Sequence, residues 1–139
     1  MSIKVLVVDD SKSMRAVVKK TLVAAGFDME ECFEASNGLE ALEILDREHV
    51  DVVLSDLHMP KMNGMELLAR LQADKRVPPC FILVTTEGRT EKLKEALALG
   101  ARGFVVKPFQ PEGLRKILSL FVGEPHGSDL DDGPEGLDF

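Results

Sequence analysis

The sequence predicts a doubly wound α/β fold, in which a five-stranded parallel sheet is covered by helices on both faces to give three α/β/α layers. Two observations carry that prediction. Short apolar runs of strand length alternate five times with helix-length segments whose apolar residues recur three and four apart. The strands read as apolar throughout, the composition of strands buried on both sides, and right-handed crossovers then distribute the helices over the two faces. At 139 residues the chain is long enough for one such core and too short for two.

The first strand spans residues 3–8, and its helix carries Met14, Val17, Val18, Thr21, Leu22 and Ala25 on one stripe, with Gly26 placed to stop it. The second strand, 30–35, is followed by Ala41, Leu42 and Leu45. The third, 51–55, is followed by Gly64, Leu67, Leu68 and Leu71. Leu93, Ala96 and Leu97 follow the fourth strand, 80–85, and Leu114, Ile117, Leu118 and Phe121 follow the fifth, 103–106. Beyond Val122 the composition turns to GEPHGSDLDDGPEGLDF, rich in Gly, Pro and acid. Such a segment buries too little surface to offset its ordering entropy. The expectation is a folded domain over 1–122 and a flexible acidic tail over 123–139.

Runs such as Val5–Val8 and Cys80–Val84 fall far short of the ~20 apolar residues that cross a bilayer. The N-terminus enters a strand pattern at once, without the regions of a signal peptide. A cytoplasmic protein with no membrane span is expected. Cys32 and Cys80 sit in strand-like stretches with no CxxC or histidine companion at metal-ligand spacing, and read as buried free thiols. Net charge is −7, but six of the 24 acids lie in the tail, which has no Lys or Arg; removing them leaves 18 acids against 17 bases. The folded part is nearly neutral and shows no basic footprint for nucleic acid.

In open parallel sheets ligands bind beyond the carboxyl ends of the strands. The first strand ends in KVLVVDDS, with Asp9 and Asp10 adjacent. At ~4 Å and an effective dielectric of ~20 their repulsion is of order 4 kcal/mol, so water, a proton, a base or a metal must oppose it. VVLSDLHMP places Asp56 at the third strand, FILVTTEG places Thr85 at the fourth, and GFVVKPF places Lys107 after the fifth. Any one of these is more often a cap or a turn residue than a functional group. Together on one rim, three carboxylates, a hydroxyl and an ammonium are a different matter. Clustered acids without His or Cys suit a hard ion such as Mg²⁺ rather than Zn²⁺. Such an ion completes its shell with phosphate oxygen, which points to phosphoryl chemistry with one carboxylate as nucleophile.

The motifs LVVDDS, ASNGLEAL, SDLHMPKMNG, LVTTEG and GARGFVVKPF, in that order over residues 3–122, resemble the receiver domain of two-component response regulators, particularly the single-domain chemotaxis type. The resemblance implies a flavodoxin-like sheet of order 2-1-3-4-5, and a regulatory phosphoacceptor rather than an enzyme. It makes Asp56 the acceptor of a phosphoryl group from a histidine kinase. Mg²⁺ would be bound by Asp10, Asp56 and the backbone carbonyl of His58, with Asp9 acting mostly through water. Lys107 would pair with Asp56 and then with a phosphoryl oxygen, Thr85 would bond another, and Lys107-Pro108 would be cis. The implied output is a protein bound at the fourth helix, fifth strand and fifth helix, whether flagellar motor, phosphatase or phosphotransfer protein, by a monomer or a weak phosphorylation-dependent dimer.

Two positions depart from the family pattern. Phe104 stands where many chemotaxis regulators have tyrosine, so the switch ring has no phenolic hydroxyl. Thr86 follows the switch threonine where a small residue is usual. Thr86, His58 and Glu87 are candidates for setting the lifetime of the phosphorylated state. The tail ending DLDDGPEGLDF resembles short peptides with which chemotaxis phosphatases dock on such regulators. Two other readings stay open: a phosphorelay intermediate, and an aspartyl-nucleophile phosphatase or phosphotransferase. The second commonly shows DxDx(T/V) after the first strand, where this chain has DDSK.

Overall fold

The computed structural model describes residues 2–78, 80–86, 91–107 and 110–122, in which strands and helices alternate along the chain. They are β1 (Ser2–Val8), α1 (Lys12–Ala24), β2 (Asp28–Ala35), α2 (Gly38–Arg47), β3 (Val52–Asp56), α3 (Gly64–Ala73), β4 (Cys80–Thr85), α4 (Glu91–Leu99), β5 (Gly103–Val106) and α5 (Pro111–Val122). Side-chain caps start three of the helices. Ser11 accepts the Met14 N–H ahead of α1, Asn37 accepts the Glu40 N–H ahead of α2, and Asn63 and Glu66 form a reciprocal capping box on α3. Three helices end in the same doubly bonded turn. At α1 the bonds are Phe27 N–H to Leu22 O and Gly26 N–H to Val23 O, and the pattern recurs at Gly100 and at Lys75. The residue at each turn has positive φ, 94° at Gly26, 119° at Gly100 and 56° at Lys75. Gly26 is thus the stop its position suggested.

All strand pairs are parallel and the sheet order is β2-β1-β3-β4-β5, the doubly wound, flavodoxin-like α/β/α fold expected. Successive residues of a strand feed opposite faces. Val5 and Val7 join Val18, Leu22, Leu114 and Leu118 under α1 and α5. Leu6 and Val8 join Ala41, Ile44, Leu67, Leu71, Leu93 and Ala96 under α2, α3 and α4. No helix among the described residues is long and apolar enough to cross a membrane.

The structure corrects several expectations. β2 is not apolar throughout: it lies at the sheet edge and exposes Asp28, Glu30, Glu31 and Glu34. Cys32, on that strand, is half-buried rather than buried, whereas Cys80 in β4 is fully buried. Burial pushes both thiols up, Cys80 to about 12. Val17 and Leu97 fit the helical spacing but point outward, at 49% and 47% exposed. The tail residues 123–139 lie outside the described residues.

Candidate functional site

Strand register aligns the carboxyl ends. Val8 pairs with Ser55, Asp56 with Val84, and Thr85 with Val106. Asp9 therefore sits level with Asp56, and Lys107 falls one residue past the partner of Thr85. The order reverses between β1 and β3, because β2 lies beyond β1 while β3, β4 and β5 lie on the other side, and the acids gather at that switch point.

Asp9 is 4% exposed. Its N–H donates to Ala35 O at 3.0 Å, extending the β1–β2 ladder one residue into the loop. Its carboxylate accepts the Ser11 N–H at 2.8 Å, closing the turn that opens α1. Asp10 is exposed beside it. One carboxylate oxygen each from Asp9, Asp10 and Asp56 lie within 4.8 Å of one another. Lys107 Nζ reaches between two of them, 3.5 Å from Asp9 Oδ2 and 3.6 Å from Asp56 Oδ1. The ammonium offsets part of the repulsion anticipated from the sequence. The remaining cluster, all oxygen with no His or Cys, fits a hard divalent cation such as Mg²⁺.

Asp56 terminates β3, and its side chain is 13% exposed. Burial raises its carboxyl above the ordinary value. The Lys107 ammonium opposes that rise, the Asp9 carboxylate adds to it, and the backbone N–H groups of Leu57 and His58 oppose it. Leu57 N–H donates at 2.8 Å. The result is a carboxylate held by directed donors, one face toward the other acids and Lys107, which can act as a nucleophile toward an electrophile brought against the cluster.

Thr85 is fully buried at the end of β4, and its carbonyl accepts the Lys107 N–H at 2.7 Å. Phe104, on β5, is half-buried and packs against the core under α2, α3 and α4. His58 and Thr86 are exposed in the loops that follow β3 and β4. Glu87 and Pro108 lie outside the described residues.

Two supports were not evident in the sequence. Arg15 donates to the carbonyl of Asp9 and, through Nε, to Glu34 Oε1 at 2.8 Å, tying the acidic turn to β2. Gly64 brings the start of α3 against the end of β3. Its N–H donates to Leu57 O at 3.0 Å, and a Cβ there would lie 2.4 Å from the Asp56 carbonyl oxygen. The glycine within SDLHMPKMNG was the available signal. The Arg15–Glu34 pair offered none, because it spans 19 residues and depends on β1–β2 register.

Residues 5–119 match the family described as the response regulator receiver domain. A chemotaxis protein CheY homolog of Campylobacter jejuni is 40% identical over 126 residues, covering 89% of this chain and 95% of its own. Chemotaxis protein CheY1 of Helicobacter pylori is 40% identical over 122 residues, covering 86% and 97%. Among solved structures, Vibrio cholerae chemotaxis protein CheY4 superposes with a TM-score of 0.75 at 39% identity, covering 88% of this chain and all of that one. The CheX–CheY–BeF3–Mg²⁺ complex from Borrelia burgdorferi matches with a TM-score of 0.75 at 26% identity, covering 85% and 87%.

Proposed function

Because this chain belongs to the response regulator receiver domain family, we propose that it is a phosphorylation-switched module of a two-component system, in which Asp56 accepts a phosphoryl group from a histidine kinase. The observation that carries this reading is the cluster of Asp9, Asp10 and Asp56 with Lys107 set between Asp9 and Asp56 at 3.5 and 3.6 Å. A carboxylate oxygen of Asp56 forms a bond to phosphorus as the N–P bond of the kinase phosphohistidine breaks, the bonding pair staying on the imidazole. The product is an acyl phosphate on the chain.

Asp10 and Asp56, with the His58 carbonyl and with Asp9 through water, would hold Mg²⁺, which supplies positive charge against the phosphoryl oxygens. Lys107 is already placed to follow the charge from the Asp56 carboxylate to a phosphoryl oxygen, because it touches Asp56 Oδ1 at the edge of the cluster. Thr85 donates its hydroxyl to another oxygen, and Phe104, one strand over, changes its packing when Thr85 moves. The face formed by α4, β5 and α5 then binds a protein partner. The Borrelia burgdorferi complex, in which a relative is bound to CheX with BeF3 and Mg²⁺, supports both the ion and a protein partner.

In this reading residues 1–122 are the receiver and 123–139 a tail. The protein is cytoplasmic, binds no nucleic acid directly, and performs no chemistry beyond its own phosphorylation and dephosphorylation. His58, Thr86 and Glu87 tune the lifetime: His58→Ala and Thr86→Ala alter the decay rate of the acyl phosphate, and unchanged rates would remove that role. The test of the whole reading is incubation with acetyl phosphate and Mg²⁺, read by intact mass and peptide mapping. Modification is expected on Asp56 and absent in Asp56→Asn; its persistence in that variant overturns the proposal.

A further inference from the structure

Asp9 is held at each of its polar groups. Its N–H donates to Ala35 O, its carboxylate accepts the Ser11 N–H and stands 3.5 Å from the Lys107 ammonium, and its carbonyl accepts from Arg15 Nη1. The first three contacts belong to the β1–β2 ladder, the turn into α1 and the acidic cluster. The fourth reaches the backbone between the two adjacent acids. The carbonyl of Asp9 and the N–H of Asp10 share one planar peptide unit, so the direction of that carbonyl sets the direction in which the chain enters Asp10. Asp10 is exposed, and its carboxylate is placed by the backbone that carries it rather than by packing around it. The bond from Arg15 therefore bears on where the Asp10 oxygen stands relative to those of Asp9 and Asp56, which lie within 4.8 Å of it.

Arg15 lies in the first turn of α1, where its N–H donates to Ser11 O at 3.0 Å. Its side chain is 14% exposed and its Nε donates to Glu34 Oε1 at 2.8 Å, while Lys19 Nζ stands 3.6 Å from the other Glu34 oxygen. Two directed contacts from one planar group fix its orientation, which a single ammonium would do less well. Glu34 and Ala35, neighbours on β2, thus hold the two ends of the Asp9 main chain, one through Arg15 and one directly. The pairing also answers an electrostatic difficulty. A largely buried cation beside the acidic cluster would oppose a divalent ion drawn to the same acids, and the Glu34 carboxylate balances it. The hydrogen bond from Arg15 holds the Glu34 carboxyl below its ordinary value, so the balancing charge is present at neutral pH. What Arg15 brings to the cluster is a hydrogen bond of fixed direction.

We infer that Arg15 is a positioning residue for the divalent-cation site, aiming the Asp9–Asp10 peptide through the Asp9 carbonyl, and that Glu34 acts through Arg15. This rests on the reading above in which Asp10 and Asp56 hold Mg²⁺. Partners that orient metal ligands typically change metal affinity ~10–100-fold when they are lost. Charge alone has the opposite sign, because deleting a cation beside an acidic cluster tightens Mg²⁺. The test titrates the full chain with Mg²⁺ at constant ionic strength and without a phosphoryl donor. The dissociation constant is read from the backbone amide shifts of Asp10 and Leu57, and metal-free urea unfolding is measured beside it. Arg15→Met, which keeps an apolar stem and removes every donor, is expected to raise the dissociation constant about tenfold. Arg15→Lys, with the charge kept and the fork lost, is expected to fall between that variant and the native chain. Glu34→Ala is expected to raise the constant in the native chain and to add little in the Arg15→Met background, the non-additivity of residues that act as a unit. A constant that is unchanged or lower in Arg15→Met, while the native chain binds Mg²⁺, overturns the inference alone; with a lowered urea midpoint it assigns Arg15 to stability only. Equal effects of Glu34→Ala in both backgrounds overturn the part given to Glu34. A native chain that takes up no Mg²⁺ overturns the metal site and this inference with it.

Discussion

The role proposed for Asp56 sets two demands against each other, since a carboxylate that attacks must be ionised, yet this one is largely buried beside Asp9. A carboxyl raised by burial contributes stability while protonated and loses it as pH rises through the raised value. Asp56→Asn, neutral at every pH, is therefore expected to be more stable than the native chain at neutral pH. The advantage should shrink on acidification between the raised value and the ordinary carboxyl range; urea unfolding at several pH values reads it. Gly64 bears on the same residue through the backbone. Gly64→Ala forces the Asp56 carbonyl or the start of α3 to move, and a loss of ~1–3 kcal/mol is expected, with slower phosphorylation in an acetyl phosphate assay. The acids and Lys107 were legible in the sequence because each stands just where an apolar run ends, and strand ends converge in a parallel sheet. Arg15 and Glu34 were not, because only the register of two distant strands brings them together.

Among the elements, three helix ends share one geometry and differ in one residue. Gly26 and Gly100 adopt positive φ without strain, while Lys75 does so against its Cβ. Lys75→Gly is expected to raise the stability of the chain by up to ~1 kcal/mol, read as a shift in urea midpoint with unchanged slope. The strands show what periodicity can and cannot deliver. β1, β3 and β4 are apolar on both faces because both faces are covered, and the sequence says so plainly. β2 is a strand in spite of its four exposed acids, since an edge position needs apolar contact only at residues such as Phe33 and Ala35. Spacing also placed Val17 and Leu97 on apolar stripes, yet each helix covers the sheet with a narrower face than its apolar stripe.

For the molecule as a whole, the sheet joins two thin cores, one under α1 and α5 and one under α2, α3 and α4, with the acidic cluster at their common rim. A cation bound there stabilises only the folded chain. At ~100 times its dissociation constant, Mg²⁺ is expected to add ~2.7 kcal/mol to unfolding stability. A chelator should remove that gain, and Asp10→Asn should diminish it. Thermal unfolding with and without the ion measures both.

The long strand β2 leaves one side of its backbone unpaired by the rest of the sheet, which in an apolar strand would invite a neighbouring molecule to continue the ladder. Asp28, Glu30 and Glu31 are exposed on this edge strand. Two such edges brought together meet carboxylate against carboxylate. That repulsion disfavours a further strand at the β2 edge.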